Sequence, residues 1–212
     1  TTMENIQIPN KNCDKCHRLK LLRSQNKQKY PDWHNAPVNS YGDIYGRLLI
    51  VGLAPGLKGA NRTGIPFTGD HSGDLLFDML AKFGFLINKN HSSAEMVILN
   101  NCRITNAVRC LPPANKPKQS EVKNCSIFLK SEIDAMKDLK FILALGKVAH
   151  DAIISIFGKT KSLHKFGHNK QYNFGNIKLI DSYHCSRYNL NTRRLTVDMF
   201  NKIFQEIAMN LD

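Results

Sequence analysis

Short apolar runs punctuate the chain at residues 48–53, 96–100, 141–145 and 177–181, each of a length and character that suits a buried strand. Between and after them the apolar positions recur with helical spacing, at residues 74–85, 119–137, 147–157 and 195–209. Strands alternating with helices predict a parallel sheet covered on both faces. The expectation is a three-layer α/β/α sandwich around a mainly parallel four-stranded sheet, formed by one domain over residues 3–212. Residues 171–181, with Gly175 and Asn176 at their centre, suit a hairpin that feeds the last strand. The helix at 119–137 lacks a start signal, since Ser120 is followed three positions later by Lys123 rather than by Glu or Gln.

The richest stretch is 52–73, GLAPGLKGANRTGIPFTGDHSG, which leaves the first apolar run and precedes the first helical pattern. A glycine-rich loop at the carboxyl end of a strand lets backbone approach a ligand, and open α/β sheets bind ligands at that edge. Phe67 and Asp70 would sit there as a stacking surface and an ionisable oxygen. Asn106 and Asn115 follow in the loop of residues 102–117. An amide offers both donors and an acceptor to a base edge, but the residues alone favour the plainer reading for each, with Asn115 serving the turn after two prolines. Residues 184–196, HCSRYNLNTRRLT, collect one His, three Arg and several hydroxyls, a mixture suited to phosphate contacts.

Composition sharpens the class of partner. Of 212 residues, 30 are Lys or Arg and 17 Asp or Glu, a net charge of +13 that favours a polyanion, most simply nucleic acid. No apolar run approaches a membrane span and no export pattern opens the chain, so a cytoplasmic protein without membrane contact is expected. Thr1 and Thr2 ahead of Met3 are left out of the fold reasoning.

Six cysteines occur. Cys13 and Cys16 form a local pair, and Cys110 and Cys125 lie far along the chain. A reducing compartment argues against disulfides, and two plus two thiolates suit an iron–sulfur or a zinc site. Cys13 to His17 also matches the haem-attachment pattern, which the lack of an export signal argues against. Cys102 suits a buried thiol, and nothing marks Cys185 as a nucleophile.

Taken together, GLAPG at 52–56, NRTG at 61–64, PFTGD at 66–70, the run CRITNAVRCLPPANKP at 102–117, HCS at 184–186 and NT at 191–192 resemble the uracil-DNA glycosylase superfamily, and most closely its family 5. The resemblance covers nearly the whole chain. It implies a monofunctional enzyme that cuts the N-glycosidic bond of uracil, and of bases such as hypoxanthine or xanthine, in duplex DNA. It implies Asp70 as the catalytic carboxylate, His184 near the base's O2, and Phe67 as the stacking ring. Gly52, Ala54, Asn106 and Asn115 would complete the base pocket. Asn61, Arg62, Ser186, Arg187, Arg193 and Arg194 would meet the DNA, and Cys13, Cys16, Cys110 and Cys125 would hold a [4Fe-4S] cluster in a monomer.

Four positions depart from the family pattern. Asn106 stands where family 5 often has a small residue, which predicts a stronger preference for uracil. Cys185 replaces a proline, Arg193 a glycine and Lys58 a histidine. Two rivals remain: a non-catalytic DNA-binding protein with a structural metal site, and a nucleotide-binding enzyme. The second is demoted because the loop lacks the usual phosphate-binding patterns.

Overall fold

A computed structural model describes residues 6–87 and 97–212. Strand β2 (Leu48–Gly52) is buried at every position, as is β4 (Phe141–Leu145). Parallel neighbours on either side and helices on both faces explain why these runs are continuously apolar. β2 pairs in parallel with β3 (Cys102–Asn106) and β4, and β4 with β6 (Ile177–Ser182). Antiparallel edge strands β1 (Tyr41–Gly42) and β5 (Gln171–Phe174) complete the order β1-β3-β2-β4-β6-β5. The expected parallel core of four strands is therefore present inside a mixed sheet of six. The 171–181 hairpin forms, with Phe174 opposite Ile177 across the turn.

The second strand lies later than expected. Residues 96–100 include Met96, which falls outside the described residues, and Leu99 makes only an isolated bridge to Leu86. The strand itself is CRITN, whose Arg103 hides it from an apolar scan. The Arg103 guanidinium is answered by Glu132 and by the carbonyl of Gly42, so a charge is carried into the sheet.

Alternate positions of each strand feed two cores. Leu48, Ile50, Leu143 and Ile180 pack with helices α3 (His71–Lys82) and α7 (Val197–Met209). Leu49, Val51, Ile142 and Leu179 pack with α4 (Gln119–Ala135) and α5 (Lys147–Ile156). Helix α4 does have a start device: the Glu121 carboxylate accepts from the Lys118 N–H at 2.7 Å, and Arg18 grips the same carboxylate. A third small core joins Leu19 of α1 (His17–Lys29) to Val108, Cys110, Cys125 and Phe128. Short helices α2 (Ala60–Thr63) and α6 (Arg187–Asn191) flank the carboxyl edge of the sheet. Among the described residues no helix is long and apolar enough to cross a membrane.

Candidate active site

β2 and β3 end side by side, with Gly52 directly opposite Asn106, and the chain after β6 runs on to His184. A cleft of about 310 Å³ opens over these ends, and Ala54, Phe67, Asp70, Asn106, Asn115, His184 and Ser186 all line it. The structure thus brings the proposed catalytic and base-binding residues to one place. Gly52 serves at its floor by having no side chain: a Cβ there would stand 2.5 Å from Phe67 Cζ and 2.6 Å from Asn106 Oδ1.

Phe67 has φ of 61°, a left-handed conformation that a bulky residue adopts only under constraint. Asp70 caps α3, its Oδ1 accepting from the Ser72 N–H at 3.0 Å. Its other oxygen faces the glycine-rich loop, 2.7 Å from where a Cβ on Gly56 would lie, and a Cβ on Gly59 would collide with it. Burial raises the pKa of Asp70, and the backbone N–H groups of Ser72 and Gly73 only partly counter that. His184 is deeply set, with part of its surface open to the cleft, and desolvation pushes its pKa down to about 4. Its ring is neutral near pH 7 and makes no hydrogen bond among the described residues, so one N–H remains to donate.

Cys185 connects the two halves of the site. Its fully buried thiol donates to the Ser72 carbonyl at 3.2 Å, and burial holds its pKa at about 12. Ser72 belongs to the first turn of the helix that Asp70 caps, so the thiol ties the His184 loop to the Asp70 helix. Asn106 is 3% exposed, yet its amide bonds no other described residue and faces the cleft. Asn115 sits at the exposed rim with φ of 55°, after Ala114 in the same left-handed region. The turn reading of Asn115 is thus met by its backbone, while its side chain is left to the cleft.

The residues assigned to DNA separate into groups. Asn61 is 1% exposed and its amide donates to Asn35 Oδ1 at 3.0 Å, so it cannot meet a strand and serves the loop instead. Arg62 is exposed but clasps the carbonyls of Lys58 and Gly69, holding the glycine-rich loop closed. Ser186 lines the cleft and caps α6, accepting from the Asn189 N–H. Arg187 and Arg193 are exposed. Arg193 has φ of 58°, which explains why glycine suits that position. Arg194 lies over the Tyr183 ring at 5.8 Å. Sequence reasoning passed over Tyr188, 71% exposed on α6 beside Ser186, and also Gly56 and Gly59, whose spacing in GLAPGLKG was the available signal.

Three of the four predicted thiols, Cys16, Cys110 and Cys125, belong to one small core, and Ala54 touches both that core and the cleft. Cys110 and Cys125 are buried with Cys16 packed against them, and Cys13 acts electrostatically on each of the other three. Burial raises the pKa of Cys16 and Cys125 and takes that of Cys110 to about 12. Two guanidiniums attend them. Arg23 donates to Cys110 Sγ at 3.0 Å and to the Cys13 carbonyl at 2.6 Å. Arg109 is 2% exposed; its Nη2 faces the buried Glu132 carboxylate at 3.9 Å, neither Nε nor Nη2 makes a hydrogen bond to a described residue, and its backbone N–H points to Cys125. Among the described residues no trio of His, Cys, Asp or Glu is arranged for a single metal ion. Cys102 is buried in β3, as expected.

Fold and cleft define the class first: a mainly parallel sheet covered on both faces, with a cleft at its carboxyl edge. The family model of the uracil DNA glycosylase superfamily matches residues 40–208. A type-5 uracil-DNA glycosylase of Thermus thermophilus is 38% identical over 201 residues, 92% of this chain and 91% of its own. One of Pyrobaculum aerophilum is 39% identical over 203 residues, 93% of this chain and 88% of its own. A type-4 uracil-DNA glycosylase of the same organism is 31% identical over 150 residues, 70% of this chain and 63% of its own. The chain belongs to the uracil-DNA glycosylase superfamily, on its type-5 branch.

Proposed function

We propose that this protein hydrolyses the N-glycosidic bond of uracil, and of other deaminated bases such as hypoxanthine or xanthine, in duplex DNA. The observation that carries the reading is the convergence of Phe67, Asp70, Asn106 and His184 on one cleft of about 310 Å³. A base inside a duplex cannot reach such a cleft and is flipped out, at a few kcal/mol. Stacking on Phe67 returns about 1–3 kcal/mol. The unpartnered Asn106 amide reads the base edge, and its bidentate capacity favours uracil. Tyr188, exposed beside the rim and next to Arg187, is placed to fill the gap in the duplex.

As the glycosidic bond breaks, negative charge gathers on the base and positive charge on the sugar. Neutral His184 donates its N–H to the base oxygen without surrendering a proton beforehand. The Asp70 carboxylate stabilises the sugar cation and accepts a proton from the water that attacks C1′; the released base takes up a proton in turn. Ser186, Arg187, Arg193 and Arg194 hold phosphates.

Cys13, Cys16, Cys110 and Cys125 would hold a [4Fe-4S] cluster. The donor set supports this: two buried and two half-buried thiols, with the Arg23 guanidinium donating to one sulfur and to the Cys13 carbonyl. An anionic cluster would answer the Arg23 guanidinium, and its part is structural, cross-linking the N-terminal segment to the loop after β3.

The test uses labelled duplexes carrying U·G, U·A, hypoxanthine·T or no lesion, followed by alkaline cleavage of abasic sites. Cleavage confined to the lesions is expected. Asp70→Asn should lose about 10²–10⁴-fold in rate while still binding an abasic duplex. Salt-sensitive binding without any cleavage by the parent protein would leave a DNA-binding protein that has lost the chemistry.

A further inference from the structure

Helix α1 carries five cations and no acid in thirteen residues. Three of these cations are engaged: Arg18 with Glu121, Arg23 with Cys110 and the Cys13 carbonyl, and Lys29 over the Tyr30 ring. Lys20 and Lys27 are not. They line a groove of about 800 Å³ together with Lys11 and His34, and no carboxylate shares its wall. Lys130, Lys147 and Lys202 each pair with an acid one turn away; what sets the groove apart is that Lys11, Lys20, Arg23 and Lys27 share one wall that holds no carboxylate. Among the described residues the groove lysines form no ion pair, so their charge is undiluted.

The groove also begins where the cleft ends. Gly56 and Ala60 line the cleft, and Ala60 starts the one-turn helix α2. On the far side of α2, the His34 N–H donates to the Arg62 carbonyl and the Asn35 N–H to the Asn61 carbonyl. His34 and Asn35 are groove wall. One turn of helix is all that separates the two hollows. Lys20 and Lys27 are seven residues apart on a helix, about 10 Å along its axis. Measured along a duplex axis, that distance is the rise of roughly three base pairs.

We propose that this groove carries the phosphodiester backbone of the DNA beyond the flipped nucleotide, on the α2 side of the cleft. The proposal rests on the glycosylase reading for its ligand, and its chemistry is that of phosphate held by unpaired ammonium groups. The groove lends grip and register and takes no part in bond cleavage.

The experiment measures binding to abasic-site duplexes of about 30 and about 10 base pairs across a salt titration, because each phosphate contact contributes about 0.9 to the slope of log K against log salt. The parent protein is compared with Lys20→Gln plus Lys27→Gln. A second pair, Lys130→Gln plus Lys137→Gln, removes the same net charge at the opposite edge of the sheet. The expected result is a slope lower by roughly 2 for the groove pair on the long duplex, an unchanged slope for the second pair, and an unaltered single-turnover rate at saturation. An unchanged slope in the groove pair overturns the proposal, and so does an equal fall in both pairs. A parent protein that cleaves no lesion would instead strike the glycosylase reading, and the slope would still judge the groove.

Discussion

Gly52→Ala perturbs the cleft with a single methyl group. The residue ends a strand in ordinary extended backbone, so alanine is conformationally welcome there. What it meets is the difficulty: Phe67 Cζ at 2.5 Å, Asn106 Oδ1 at 2.6 Å and Phe67 Cε1 at 2.7 Å. Even the tightest real Cβ contacts are near 3.0 Å and ordinary ones begin at 3.4 Å, so ring and amide must retreat by about 0.5–0.9 Å. The cleft that both side chains line is open space into which they can move. Misplacement near 1 Å costs about 10²-fold in rate, whereas crowding that relaxes into a cleft costs stability only at the low end of the usual 1–3 kcal/mol. Single-turnover cleavage of a U·G duplex should therefore fall by about two orders of magnitude, with the melting temperature little changed. Gly84→Ala, where nothing lies within 4 Å, is the control and should affect stability alone. A Gly52→Ala protein that cleaves within about threefold of the parent would sink the claim that Phe67 and Asn106 form the base slot.

The remaining predictions address the other walls of the site. Asp70 has its pKa raised by burial, so its ionised form is a burden to the fold: the stability it contributes is present below its unfolded pKa and is lost as pH rises through the folded one. Asp70→Asn should thus melt higher than the parent at neutral pH, and an unchanged or lower melting point would contradict that burial. His184 behaves with the opposite sign, because its lowered pKa means that the unfolded chain takes up a proton first. Its contribution, up to about 3 kcal/mol, should fade as pH drops from about 6.5 to 4; His184→Gln should flatten the melting profile in that window, and a parallel profile would refute it. Cys185→Ala should lower kcat with KM little affected, and Cys185→Ser, which keeps a donor toward the Ser72 carbonyl, should restore most of it. Asn106→Ala should narrow the gap between uracil and hypoxanthine rates; an unchanged ratio would remove Asn106 from base reading.

What the chain's pattern makes legible are features whose causes are local. β2 and β4 announce themselves because both faces are buried by neighbours, and the glycine-rich loop announces Phe67 and Asp70. The hidden elements depend on distant partners. β3 contains Arg103, acceptable only because Glu132 on α4 receives its charge. α1 buries Leu19, Arg23 and Asn26, a polar stripe that reads as no core face until the thiols it covers are in place. Asn61 looks like a DNA contact until its amide is seen bonded to Asn35, twenty-six residues earlier. Cys185 shows the same logic at the site itself. From sequence it is a proline lost, and therefore a looser loop. In the fold, its thiol reaches a carbonyl 113 residues away and supplies by a long-range bond the restraint that a ring would have supplied locally. A substitution at a site can thus exchange one kind of stiffness for another, and only the partner's position tells exchange from loss.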